Sequence, residues 1–560
     1  MACLAHLDEA ARTTYLASLA AGADVDHRGT AFTEELLNRL LRAVRDPDTG
    51  HPCIGSARFG SATFRNFAHF ESATFQDTAD FGSATFRNFA HFGSVTFQSI
   101  ADFGSATFQS IAHFGSATFQ GTADFESASF QNFAGFGSAT FHDTVNFGSA
   151  TFQSIAHFGS ATFQNFADFE SATFRNFAGF GSATFQDTAN FQFAVLEKPD
   201  VLGPLVCAGL VDMSGAVFDG PVALSLAAGR LECRRTRWSS TAEVRLRYAT
   251  VDFSSAVFEY PLTIAAEADP FLLPDGQPVA EDALAGAPDA EVRLASLRGV
   301  DAAHLVLADV DLSGCLLTRT VHLDQVGLEG TCTFGSVPPG RRWVRFTQRR
   351  TLAEEHHWRA GRPGAARGWN VAAFDMGSVG PAQLAPVYRS LRKALEDGAN
   401  APGAADFYYG EMEMRRHDHT GTPRAERLLL AVYWAVSGYG LRALRALGWL
   451  GAAMLVTLVL LMGFGLPEDD PRQEATGTVP PGGGRVTFEI DKGDPENPTG
   501  DRFTGERFEK ALNITLNSVV FRSSGQDLTT AGTYIEMTSR FTEPVLLGLA
   551  VLALRGRVKR

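Results

Sequence analysis

Large apolar side chains recur between Phe59 and Phe191 at alternating intervals of five and six residues, opening with Phe59, Phe64, Phe70, Phe75, Phe81, Phe86, Phe92 and Phe97. The unit is eleven residues long and close to FGSATFQSIAH. A small residue stands two places before each large one, as in Ala62-Thr63-Phe64 and Ala68-His69-Phe70. In an extended chain that alternation puts both members on one face, whereas a helix would scatter the phenylalanines around its circumference. A short fixed period of this kind predicts a solenoid of stacked coils.

The residue added in each six-residue interval sets the coil length. Read every 22 residues it is Phe67, Phe89, Ile111, Phe133, Ile155 and Phe177, and in the alternate intervals Thr78, Ile100, Thr122, Thr144, Phe166 and Thr188. The residue two places later sorts the same way, into His69, His91, His113, Gly135, His157 and Gly179 against Asp80, Asp102, Asp124, Asn146, Asp168 and Asn190. A 22-residue coil therefore stacks like upon like, with sides of five, six, five and six. About six such coils make a rod segment of roughly 29 Å at the usual inter-strand spacing. Each buried phenylalanine contributes on the order of 2 to 3 kcal/mol, so the repeat supplies its own core. Gly and Ser after the phenylalanine are expected at the corners.

A small residue, a polar one, a large apolar one and two more polar ones form a pattern that resembles the pentapeptide-repeat family, over roughly half the chain. The resemblance implies a right-handed, four-sided parallel β-helix. The expected fold is then mainly β, with an N-terminal α-helical cap, an α-helical connector and two C-terminal transmembrane helices.

Residues 1–52 read as the cap. Thr33 is a suitable N-cap for EELLNRLLRAVR, with Leu36, Leu37, Leu40 and Val44 on one face, and Asp46-Pro47-Asp48-Thr49-Gly50 ends the helix. Such a cap covers the exposed edge of the first coil. The solenoid is expected over 53–335, regular at 59–191 and degenerate at 192–335, where Met213, Phe218, Leu224, Phe253, Phe258 and Ile264 keep the interval. A Pro/Ala/Asp-rich loop interrupts it near 265–291. Residues 336–425 form the connector, with amphipathic helices over Pro381–Asp397 and AADFYYGEMEMRRHD.

Residues 426–560 read as a membrane domain. Ala446 to Leu466 is 21 residues without a charge, long enough to span a bilayer. A second span near 533–554 is weaker, because it must take in Glu536, Arg540 and Glu543. Basic residues flank both spans and the segment Pro467 to Lys510 between them is acidic. The positive-inside rule then places the repeat domain and both termini in the cytoplasm of a multi-pass cell-membrane protein.

The formal charge of −14 argues against generic nucleic-acid binding, although it is compatible with DNA mimicry. The six cysteines form no CxxC pair and read as thiols, and no N-terminal signal peptide is visible. The column His69, His91, His113 and His157 reads as a surface ladder, since structural zinc wants four ligands and no Cys or carboxylate column lies beside it. Glu354-Glu355-His356-His357 reads as a solvated helix start. No HExxH, GxSxG or Walker loop occurs, so no catalytic, metal or cofactor residues are assigned and an enzyme is not expected.

Two spans with an amphipathic segment between them resemble the two-helix ion-channel module. At the filter position, however, stand Arg522, Ser523, Ser524, Gly525, Gln526 and Asp527, without the threonine-glycine-aromatic-glycine ring of a potassium filter. The reading that results is a membrane-anchored binding or scaffolding module whose partners are the lipid bilayer and an unidentified protein or a second copy. A partner- or ligand-gated pore and a DNA-mimic inhibitor are the alternatives, and no nucleic-acid partner is expected. The added column is either an outward apolar stripe available for contact or an inward filler of the core.

Overall fold

The computed structural model describes residues 4–273, 275–287, 289–338, 349–363, 368–369, 379–468, 473–477, 481–486, 488–493, 495–523 and 525–558. Two compact units divide the chain, Met1–Phe407 and Tyr408–Arg560.

The first unit is a parallel β-solenoid of about 12 turns. Each regular turn carries four two-residue strands, such as Thr63–Phe64, Ala68–His69, Thr74–Phe75 and Ala79–Asp80. The strands pair in parallel with their equivalents 22 residues on, Thr63 with Thr85 and Ala68 with Ala90. Inside, identical rings stack almost parallel, Phe86 on Phe108 at 4.7 Å and Phe92 on Phe114 at 4.9 Å. Rings on successive sides alternate between edge-on contacts, as of Phe86 with Phe92 at 5.7 Å, and tilted ones, as of Phe81 with Phe86 at 6.1 Å. The stacked and edge-on arrangements suit the aromatic quadrupole and add to the burial of wholly enclosed rings.

The corners divide labour between the glycine and the serine. Serine takes the left-handed conformation, φ 57° at Ser61 and 55° at Ser105, and its N–H donates to the next coil, as Ser61 does to the Gly82 carbonyl. The glycine before it makes room for a side chain, since a Cβ on Gly115 would meet Cε1 of His113 at 2.4 Å. The Asp and Asn column bonds the backbone: Asp80, Asp102 and Asn146 accept from the N–H two residues on.

At the N-terminal end, α1 (Glu9–Ala17) is capped by Asp8 and α2 (Glu34–Ala43) by Thr33, whose hydroxyl accepts from the Leu36 N–H. Residues 1–52 are not purely helical, however. Ala23–Asp26 and Ala31–Phe32 pair in parallel with Cys53–Arg58 and Thr63–Phe64, so the solenoid begins within the expected cap. The short strand around Phe32 was hidden because it lacks the FGS corner, yet its ring stacks on Phe64 at 5.3 Å. His27 is buried there against Tyr15, Phe32 and Phe59.

Beyond residue 200 the step shortens. Asp200 pairs with Val222, but two irregularities, at Leu202/Leu205 and Cys207/Leu210, each drop one residue, and Val217 pairs with Arg237, a step of 20. Parallel pairing persists to Gly327–Glu329. The interrupting loop is docked: Phe271, Val279 and Leu284 pack on Val206 and Ala227, and Arg247 holds Glu281 at 2.7 Å.

The other end is closed by α3 (Ala353–Ala360) and α4 (Pro381–Asp397). Here the solvated reading of Glu354 and Glu355 is corrected, because both are wholly buried. The first turn of α3 sits on the end of the coil stack, where Glu354 Oε1 accepts from the N–H of Leu317 (2.5 Å) and Thr318 (2.8 Å). Those donors belong to the last coils, so the carboxylate does for the ladder what a further strand would have done. Glu355 accepts from Arg349 (2.5 Å), Arg359 (2.6 Å) and the Tyr388 hydroxyl. Burial pushes its carboxyl up, but the two guanidiniums outweigh burial and hold it below the usual carboxylate value. Adjacency in sequence gave no hint of this, since an eight-residue helix standing end-on can enclose neighbouring residues together. Residues 339–348, 364–367 and 370–378 of the expected connector lie outside the described residues.

α5 (Ala401–His417) matches the second amphipathic helix expected. In the second unit α6 (Arg424–Ser437), α7 (Ala443–Leu460, continued by a π-turn at Leu461–Gly465), α8 (Gly505–Val519) and α9 (Thr530–Val558) follow. The apolar stretches Ala443–Gly465 and Thr530–Leu554 are long enough to cross a membrane.

Candidate functional sites: an aromatic rod face and a polar helix seam

The added column lies on the outside of the solenoid. Phe67, Ile111 and Ile155 are exposed, at 42%, 39% and 39%, and Phe89, Phe133 and Phe177 are half-buried. Their carbonyls belong to the ladder, the Ala68 N–H donating to Phe89 and the Ala90 N–H to Ile111, so the backbone is fixed while the side chain projects. His69, His91, His113 and His157 flank them. Phe67 stacks on His69 at 5.8 Å, Phe89 on His91 at 5.2 Å, and His91 on His113 at 5.2 Å. Burial lowers the His91 pKa, opposed by Glu71 3.6 Å away and reinforced by the neighbouring imidazoles.

Where the column loses its imidazole, the phenylalanine takes the vacant place. A Cβ on Gly135 would meet the Phe133 ring at 2.6 Å, and one on Gly179 the Phe177 ring at 2.8 Å. These rings are therefore folded flat along the coil. Beside them a groove of about 770 Å3 is lined by His113, Phe133, His157, Pro204 and, from the docked loop, Leu272 and Leu273. The contribution of Leu272, itself 66% exposed, could not be read from sequence, because the loop has no period and its docking depends on Phe271, Val279 and Leu284.

The same corner continues into the later coils. Val222 donates to the Thr241 carbonyl, Ala242 to Pro261 and Leu262 to His304, repeating the bond that the regular coils make to Phe89 or Ile111. Thr241, Pro261 and His304 thus stand where Phe and Ile stood, the pairing of Asp200 with Val222 puts Pro221 in the same column, and all four are exposed. The coil itself demands no aromatic there.

Residues 81–129 match the sequence family described as pentapeptide repeats (9 copies). The matched coils are pentapeptide repeats. No curated protein and no solved structure matches the chain. In these coils the fold dictates the small residue and the ring inside it.

In the second unit, Leu461, Met462 and Leu466 at the end of α7 and Ala511 and Ile514 of α8 form a core on which Ile535 of α9 packs. A close glycine crossing joins α7 to α9, since a Cβ on Gly532 would meet the Gly465 carbonyl at 2.3 Å. Of the segment at the filter position, Arg522, Ser523, Gly525, Gln526 and Asp527 are exposed, and Ser524 lies outside the described residues. Gly525, Gln526 and Asp527 line a cavity of about 630 Å3 together with Glu468, Asp501 and Arg507. Arg507 donates to the carbonyls of Met462 (3.0 Å), Leu466 (2.8 Å) and Pro467 (2.8 Å), closing the end of the π-turn. Glu536 and Glu543 face the interior, whereas Arg540 donates to the Phe521 carbonyl on the outside.

Proposed function

We propose that this protein is a membrane-anchored, non-catalytic scaffold whose right-handed, four-sided rod presents the column from Phe67 to Phe177, with its imidazoles, to a partner protein or a second copy. The observation that carries the reading is the replacement of that column by Thr241, Pro261 and His304 in coils that keep the same backbone bond. A side chain the fold can exchange for proline is retained as Phe or Ile for a reason outside the coil, and soluble surfaces seldom leave such a stripe uncovered. Anchoring is supported by two apolar helices of whose most apolar stretches only 28% is buried, since the core helix of a soluble domain is mostly enclosed. With basic flanks on both spans, the repeat domain and both termini are assigned to the cytoplasm.

The test replaces Phe89, Ile111 and Phe133 together by Ser in the full chain, extracted in detergent. Light scattering and recovery of co-purifying protein should show lost association with an unchanged melting temperature. Retained association, or a large fall in melting temperature, would sink the reading. A reporter after Arg560 and one before Met1 should both report cytoplasm, and one near Gly483 the outside.

A second reading, a partner-gated pore, is favoured by one observation: α8, which comes between the two apolar helices in chain order, packs against both, with Gly525 to Asp527 lining a cavity beside it. The ring of carbonyls needed for potassium selectivity is not encoded there, so reconstituted protein should pass no potassium-selective current.

A further inference from the structure

α9 places Glu536, Ser539 and Glu543 on one helical face, at steps of three and four residues. That face meets Ser518 of α8 and Thr457 of α7. All five side chains are buried, with Glu543 and Ser518 at 0% exposure. The Ser518 and Ser539 hydroxyls lie 3.0 Å apart, and the Thr457 hydroxyl donates to Glu543 Oε1 at 2.9 Å. Glu543 Oε2, equally buried, finds no hydrogen-bond partner among the described residues.

A carboxylate enclosed in this way carries a charge that one threonine hydroxyl cannot balance. The charged groups on the surrounding helices are engaged elsewhere or lie turns away. On α7, Arg445 donates to the Trp434 carbonyl. On α8, Glu506, Arg507, Glu509 and Lys510 occupy the first turns, with Arg507 bound to the π-turn carbonyls. On α9, Arg540 turns outward to Phe521 and Glu536 lies seven residues earlier. On α6, Arg424, Glu426 and Arg427 stand in the first turn. No cation among the described residues is paired with Glu543.

We propose that Glu543 is a proton-binding site in the interior of the helix unit, with the Ser518–Ser539 hydroxyl pair, one helical turn away, as its polar connection to the α8–α9 loop. The ligand is a proton: it neutralises the charge, bonds to Oε2 and leaves Oε1 as the acceptor from Thr457. Glu536, nearer the loop, stands at the entrance to the seam. The site follows from burial within the unit, whether lipid or protein surrounds it.

Infrared difference spectroscopy of the full chain in lipid vesicles, with water replaced by heavy water, tests this. At neutral pH a protonated-carboxyl band should be present. It should vanish in Glu543→Gln, persist in Glu536→Gln, and shift in frequency in Thr457→Val, where the bond to Oε1 is lost. Absence of the band at neutral pH in the parent, or its survival in Glu543→Gln, would overturn the assignment. Should Glu543→Gln fail to insert, Thr457→Val decides, because an unshifted band then belongs to another carboxyl. Resistance of the vesicle-bound protein to alkaline extraction is scored separately, so failure of the membrane reading cannot be confused with failure of the site.

Discussion

In the regular coils each buried phenylalanine lies on an identical ring 4.5 to 5.1 Å away, whereas beyond residue 200 the same interior columns hold Met213, Cys233 and Phe253, or Leu224, Val244 and Ile264. The backbone ladder runs through both without interruption. The regular coils can stack identical rings because their step repeats, whereas the later coils fill a smaller circuit of 20 residues with side chains of mixed kind, aliphatic ones beside Phe218, Trp238 and Phe258. What the two regions share is what the solenoid needs: a small residue, a large apolar one, and a backbone bond at each side. What differs is open to other demands, and the outward column differs most.

The largest separation between the regions should come from the core. Phe114→Ala removes a ring packed on three sides and should cost about 3 to 5 kcal/mol in denaturant unfolding of the full chain. Cys233→Ala, at an interior position of the later coils, should cost only about 1 kcal/mol. Equal losses would mean that the ring stacks add nothing to the regular coils.

Next in size are the two ends. Glu354→Ala strands the N–H groups of Leu317 and Thr318 and should cost about 2 to 3 kcal/mol. Hydrogen exchange should rise there while amides near Phe108 stay protected.

At the other end, burial lowers the His27 pKa to about 4. A depressed folded value means that stability is fully present above the unfolded pKa of about 6.5 and is lost as pH falls toward about 4, by on the order of 2 to 3 kcal/mol. Exchange at Val25 and Phe32 should accelerate over that window, and His27→Phe should abolish the dependence. The smallest effect sharpens the comparison most. Ile111→Pro copies Pro221 and Pro261 into a regular coil and should change stability by less than about 1 kcal/mol. A loss of several kcal/mol would show that the corner is not interchangeable between the regions.

The coil length and the enclosed columns were legible because identical residues recur at one interval, and stacking turns that interval directly into register. Three things were not. The strand at Ala31–Phe32 belongs to the ladder but lacks the FGS corner that marks the others. Glu354 and Glu355 read as solvated because charge next to charge usually is, and only the end-on placement of α3 encloses them. The seam through Glu543 was visible as an awkward charge within a span, but its partners Thr457 and Ser518 come from other helices and share no interval with it.

The 22-residue register has a consequence for how such a chain can change. Since each coil touches only the ones above and below it, duplicating or deleting one 22-residue block in the gene leaves every remaining contact intact. It moves the far end by one strand spacing, about 4.8 Å. The regular stretch therefore behaves as a ruler with graduations of fixed size. Reach can be altered in discrete steps by recombination between near-identical blocks, with no new packing problem to solve. Because the outward column recurs once per block, every added graduation also lengthens the stripe by one aromatic or branched side chain, so distance and grip change together.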